Sequence, residues 1–312
     1  MGFINTDPAL MKRRNFLKIS LPALFANQLM GEPAKDADPE LRFGVIADPQ
    51  YADAEAKGSR FYRNSIKKLT AAITELNKHE LDFTVTLGDV IDRDLKSFNA
   101  ILPIYKKAKA PQTFVLGNHD FEVADEDKAK VLPTIGLEKI YYSQSVGDWH
   151  FIYLDGNDVS LYRHPKDDAI TKLAKKTLNG LKILKKPQAR PWNGAIGEAQ
   201  MQWLAEQLDL AKKTNKRVIV FNHFPVFPLN NGHNLWNDHE LVELLTSYKN
   251  VAAYMNGHNH RGNYAVHKGC HFINCKGMVE GRTATPFAIV KCYADRIEVD
   301  GFGTEPDRDL SS

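Results

Sequence analysis

Leu81-Asp82-Phe83-Thr84-Val85-Thr86-Leu87 runs directly into Gly88-Asp89-Val90-Ile91-Asp92. An apolar, β-branched run that ends in glycine and a carboxylate predicts a strand with Asp89 at its C-terminal end. The pattern recurs along the chain. Residues 112–116 lead into Gly117-Asn118-His119-Asp120, and residues 41–47 lead into Asp48-Pro49-Gln50. Later, residues 217–221 precede Asn222-His223, and residues 251–255 precede Gly257-His258-Asn259-His260. Five strand ends carrying metal-binding side chains would gather along one edge of a sheet, which points to a two-metal hydrolase.

Between the first strands, helical spacing governs. Ile66, Leu69, Ala72, Ile73 and Leu76 mark a helix over residues 65–78, and a second spans 98–109 before Pro111. The alternation of strand and helix is that of an α/β layer. Residues 141–143 and 149–154 predict an antiparallel pair, 198–214 and 241–247 helices, and 270–275, 287–293 and 296–299 late strands. A sandwich of two sheets with helices outside accommodates both halves. Residues 157–193 are Lys-rich with little period, and read as an insertion or cap on a domain spanning 41–312.

The chain has 312 residues, is 43% hydrophobic and carries a net charge of +3. That length supports a sizeable core. The cationic residues form no run that would indicate nucleic acid. Cys270, Cys275 and Cys292 make an odd set without a CxxC spacing, and buried free thiols are the expectation. Residues 1–40 read as export signal and linker. Arg13-Arg14 followed by Asn15-Phe16-Leu17-Lys18 resembles a twin-arginine signal, which implies the twin-arginine machinery as partner and a periplasmic or extracellular destination. The apolar residues 19–30 are too few for a stable membrane span, which takes about 20.

The donor types suit hard or borderline divalent ions. Asp48, Gln50, Asp89 and Asn118 offer oxygens; His223, His258 and His260 offer imidazole nitrogens. A carboxylate can bridge two ions about 3.5–4 Å apart, and Asp89, central in the order, suits that place. Asp92 either bonds to a ligand side chain or caps a following helix.

The ordered motifs D-x-[HQ], G-D-x-x-D, G-N-H-[DE], x-H and G-H-x-H resemble the calcineurin-like metallophosphoesterases over about residues 43–263. The resemblance implies a four-layer α/β/β/α sandwich of two mixed sheets flanked by helices. It implies one metal on Asp48, Gln50, Asp89 and His260, and another on Asp89, Asn118, His223 and His258. His119 would touch the phosphoryl group or protonate the leaving oxygen, oriented by Asp120, while a bridging hydroxide attacks phosphorus. With Gln at position 50 one site is mostly oxygen, which favours Mn²⁺ among ions that include Fe, Mg and Zn.

A narrower resemblance, to manganese-dependent ADP-ribose/CDP-alcohol diphosphatases, rests on Asp48-Pro49-Gln50-Tyr51-Ala52-Asp53, Tyr62-Arg63-Asn64-Ser65, Asn193-Gly194-Ala195-Ile196-Gly197, Leu235-Trp236-Asn237 and Pro306-Asp307-Arg308. It implies a phosphorylated nucleotide derivative as substrate. The loop from Asp53 to Arg60 and the segment Arg261-Gly262-Asn263-Tyr264 depart from that pattern. Candidate substrate contacts are Tyr51 and Trp236 as base-stacking surfaces, His233 in a polar loop, and Arg93, Arg60 or Arg261 as phosphate clamps. The competing functions are a phosphomonoesterase, a cyclic-nucleotide phosphodiesterase, and a scaffold without catalysis.

Overall fold

The computed structural model describes residues 38–311; the expected export signal lies outside the described residues. The first sheet has the order β12-β11-β10-β1-β2-β3, built from β1 (Leu41–Ile46), β2 (Phe83–Leu87), β3 (Gln112–Val115), β10 (Phe287–Cys292), β11 (Arg296–Phe302) and β12 (Arg308–Ser311). The second has the order β4-β5-β6-β7-β9-β8, from β4 (Tyr142–Val146), β5 (Trp149–Tyr153), β6 (Arg217–Phe221), β7 (Val251–Asn256), β8 (Arg261–His267) and β9 (Cys270–Lys276). Both sheets are mixed. β1, β2 and β3 run parallel, as do β5, β6, β7 and β9.

Strand alternation assigns the layers. Phe43, Val45, Phe83, Val85, Phe151, Tyr153, Ile219 and Phe221 point into the space between the sheets. Phe43 joins them, stacked on Phe83 at 4.9 Å between centroids and edge-on to Phe151 at 5.6 Å and Phe221 at 5.7 Å. The opposite face of the first sheet, with Ile46, Phe114 and Ile289, packs on helices α1 (Ser65–Leu76), α2 (Ser97–Tyr105) and α3 (Val131–Ile135). The opposite face of the second, with Ile152, Val218 and Val220, packs on α5 (Glu198–Lys213) and α6 (Asp238–Ser247). These are the two mixed sheets flanked by helices that the sequence predicts. The three cysteines are free and buried.

Three local features add to or differ from the sequence expectations. Residues 157–193 contain an ordinary helix, α4 (Ala169–Ile183), capped by the Asp168 side chain accepting from the Ile170 amide at 2.7 Å. Its buried stripe is Thr171, Ala174 and Leu178, narrow and partly small or polar, so no strong period stands out. β8 is a sheet edge whose residues are mostly exposed, and β12 is a short edge; neither carries the apolar run by which strands were read. The second helix stops at Tyr105, several residues short of Pro111.

The loops beginning at Asp48, Asp89 and Asn118 leave the first sheet and those beginning at His223 and His258 leave the second, and the two sets meet where the sheets pack together. β9 ends there as well and delivers a loop absent from the sequence reading, residues 277–281. Lys68 of α1 is buried and donates to the carbonyls of Met278 (2.8 Å), Glu280 (2.9 Å) and Gly281 (2.5 Å), fastening that loop to the first sheet's helical layer.

Candidate metal centre and active-site cleft

The loops at this edge hold unusual backbone. Asp48, Gln50, Asp89 and His258 have φ of 48°, 46°, 50° and 67°, four of the eight non-glycine positive values among the described residues. Side-chain-bearing residues rarely adopt this region, and such strain collects where the surroundings over-determine a site. Gly117 is required by close approach: a Cβ there would collide with the Asp89 carboxylate.

The donors converge in two groups that share one carboxylate. Asp89, His223 and His258 place ligand atoms within 4.8 Å of one another, as do Asp48, Asp89 and His260. His223 Nε2 is 3.4 Å from Asp89 Oδ2 and 3.1 Å from His258 Nδ1. His260 Nε2 is 3.5 Å from Asp48 Oδ1. Each imidazole is anchored through its other nitrogen. His223 Nδ1 donates to the Leu87 carbonyl at 2.8 Å, and His258 Nε2 to Asn193 Oδ1 at 3.0 Å. His260 Nδ1 meets Glu280 Oε1 at 2.7 Å. Such outer bonds fix which nitrogen faces a metal.

Three buried oxygens at this place have no hydrogen-bond partner: Gln50 Oε1, Asp89 Oδ2 and Asn118 Oδ1. Burying acceptors without partners costs about 1–3 kcal/mol each. Gln50 is oriented for this, since its Nε2 donates to Asp92 Oδ1 at 2.9 Å and leaves the oxygen unused. Orphaned oxygens, facing imidazole nitrogens and a shared carboxylate form a set that divalent cations fit.

The electrostatics show the same demand for positive charge. Burial acts to raise the Asp89 carboxyl, but the charges of His223, His119 and His258 outweigh it and hold it below the usual carboxylate range. Burial opposes protonation of His260, yet the charges of Asp48 and Glu280 lift it to about 9. His258 is driven well below the usual imidazole value by burial and by His223 beside it.

His119 stands at the side of this cluster, its amide donating to Asp89 Oδ1 at 2.9 Å. Its Nδ1 lies 3.0 Å from Asp92 Oδ1 and 3.1 Å from Glu122 Oε2. Burial opposes its charged form, but Asp89, Asp92 and Glu122 hold its pKa well above the usual value. The carboxylates beside its imidazole are thus Asp92 and Glu122, and the expectation that Asp120 orients it is corrected. Asp120 turns beneath the site and accepts amides of Val90 (2.8 Å), Ile91 (3.1 Å) and Gly117 (2.9 Å), bracing two ligand loops. Burial and the neighbouring Asp89 charge raise it to about 7.

The substrate candidates separate. His233 lines the cleft over the cluster, its ring 5.7 Å from that of His258, and Arg60 lines it too. Arg261 lines its outer part. Trp236 does not: it is buried with Ala174, Leu178 and Ala195, and its indole N–H donates to the Arg190 carbonyl at 3.1 Å. Tyr51 bridges to Ile91 and packs against the helix-side core. Arg93 pairs with Asp92 and lies over the Tyr62 ring at 5.1 Å. The aromatic residue in the cleft is Trp192, which sequence reasoning missed although it directly precedes Asn193-Gly194. Glu122 and Glu280 were missed as well, and Asn193 enters the sequence reading only as part of a motif.

The calcineurin-like phosphoesterase family model matches residues 41–262. The chain belongs to that family. This phosphoesterase is 30% identical to the manganese-dependent ADP-ribose/CDP-alcohol diphosphatase of Arabidopsis thaliana, over 87% of this chain and 96% of that one. It is 27% identical to the Homo sapiens protein of the same name, over 85% and 91%. A dimetal phosphatase from Danio rerio superposes with a TM-score of 0.79 at 25% identity, covering 88% of this chain and 99% of that one. The phosphoesterase is accordingly a hydrolase of phosphate esters or anhydrides that depends on divalent metal.

Proposed function

We propose that this phosphoesterase binds two divalent ions, Mn²⁺ preferred, and hydrolyses the phosphoanhydride of nucleoside diphosphate derivatives of the ADP-ribose or CDP-alcohol type. The observation that carries the two-ion reading is the pair of donor groups sharing Asp89, with Gln50, Asp89 and Asn118 each holding an unpartnered buried oxygen. Asp48, Gln50, Asp89 and His260 would hold one ion; Asp89, Asn118, His223 and His258 the other. The relatives' names support manganese and the substrate class. An Asp–Gln–Asp–His set, richer in oxygen than nitrogen, is consistent with Mn²⁺.

Bound ions would lower the pKa of a water nucleophile and offset phosphoryl charge. The chain's own residues do the rest. His119, facing Asp92 and Glu122 through Nδ1, hands a proton from its other nitrogen to the leaving oxygen. Asn193 and Glu280 hold His258 and His260 in register. Arg60 and His233 border the place of the phosphates.

The test is product chromatography with Mn²⁺-loaded enzyme on ADP-ribose, CDP-choline and a nucleoside monophosphate. Release of AMP or CMP with the monophosphate untouched supports the proposal. Free phosphate from the monophosphate, with both diphosphates intact, replaces it with a phosphomonoesterase. We further propose export through the twin-arginine route, on the Arg13-Arg14 signal; Arg13→Lys with Arg14→Lys should retain the protein in the cytoplasm on fractionation.

A further inference from the structure

The cleft over the donor cluster has two chemically unlike arms. One, of about 320 Å³, is walled by Asn118, His119, Glu122 and Trp192. The other, of about 880 Å³, is walled by Arg261, Lys276 and Glu280. Both include Arg60, His233, His258 and His260, so the arms meet over the metal ligands. Trp192 is 42% exposed, and the Arg190 guanidinium lies 5.9 Å from its ring centroid. An exposed indole beside metal ligands is a stacking surface, one that any base can use. Among the described residues no Phe, Tyr or other Trp lines either arm. The larger arm offers cations, which suit phosphate and sugar oxygens.

His119 lies in the Trp192 arm. Its Nδ1 faces the carboxylates of Asp92 and Glu122 at 3.0 and 3.1 Å, and Nε2 is the nitrogen left for the cleft. The proton donor and the stacking surface are therefore on the same side of the reacting phosphorus. The half of the substrate that leaves is the half that receives this proton.

We propose that the enzyme attacks the phosphorus distal to the nucleoside, with the base stacked on Trp192 and the other half of the diphosphate held toward Arg60, Arg261 and Lys276. This rests on the diphosphatase reading above. The water oxygen forms a bond to the distal phosphorus, and the bond from that phosphorus to the bridging oxygen breaks. The bridging oxygen keeps the electron pair, stays with the nucleoside monophosphate and takes the proton from His119 Nε2. The water's proton passes to solvent. The new oxygen therefore resides in the non-nucleoside product.

The experiment is hydrolysis of ADP-ribose by the full-length, Mn²⁺-loaded enzyme in oxygen-18 water, with mass spectrometry of both products. Heavy oxygen in ribose 5-phosphate and none in AMP is the expected result. Heavy oxygen in AMP, or divided between the products, overturns the orientation while leaving the diphosphatase reading intact. Failure to form AMP at all overturns the diphosphatase reading instead. In parallel, Trp192→Ala should raise KM for ADP-ribose roughly 5- to 150-fold, with Trp192→Phe restoring most of the loss. An unchanged KM in Trp192→Ala would remove the stacking surface from the proposal and overturn it.

Discussion

His119 and Glu280 show how single side chains divide the work. His119 belongs to neither of the two donor groups, so its removal should leave metal binding alone. His119→Ala is expected to lower kcat by about 10²–10⁴, the usual reach of general acid catalysis, while metal content by elemental analysis stays that of the wild type. Glu280 acts at one remove. Its carboxylate holds His260 Nδ1 at 2.7 Å and lies 3.8 Å from Arg60 Nε. Glu280→Ala should weaken metal affinity about 10–100-fold in a competition titration, with a wild-type kcat at saturating metal. Loss of kcat at full occupancy would instead place Glu280 in the chemistry.

Among the elements, α1 and the loop after β9 are joined at a distance from the chemistry. Lys68 is only 3% exposed and donates to three carbonyls of that loop. Lys68→Met keeps the aliphatic stem but leaves those carbonyls without their charged donor. The expected cost is about 1–3 kcal/mol in urea unfolding, together with weaker metal binding through the displaced Glu280. Unchanged metal affinity would show that the loop holds its shape without the lysine. α4 makes the complementary point: its Lys-rich exterior hides a narrow buried stripe, and the chain beyond it delivers Trp192 and Asn193 to the cleft.

Across the whole molecule, three histidines remote from the metal centre should each cost stability in mild acid. Burial lowers the pKa of His150, His164 and His271, with Arg163 adding to it for His164 and Arg217 for His271. Their imidazoles fold neutral, so below the ordinary value of 6.5 the unfolded chain binds more protons than the folded one. Stability from these groups is complete above that value and is lost as pH drops below it. The share of the urea midpoint owed to these imidazoles should therefore decline from about pH 7.5 to about 5.5, so that the wild type loses more, or gains less, over that range than His150→Gln. Equal slopes for wild type and variant would remove His150 from this account.

The donor set was legible in the sequence because it depends on short-range rules. An apolar run makes a strand, glycine or a turn residue ends it, and parallel strands align their ends on one edge. That rule lines up Asp48, Gln50, Asp89 and Asn118 on the first sheet and His223, His258 and His260 on the second, and the packing of the two sheets brings the groups together. Which carboxylate faces His119, which tryptophan faces the cleft and what holds His260 were decided only by tertiary structure. Asp120 and Asp92 are both acids near His119, but the β2 loop amides claim Asp120 and leave Asp92 for the imidazole. Trp236 sits in a motif yet is drawn under α4, while Trp192 remains in the cleft. Glu280 reaches His260 across a strand pair, a separation at which no local pattern specifies where a side chain points.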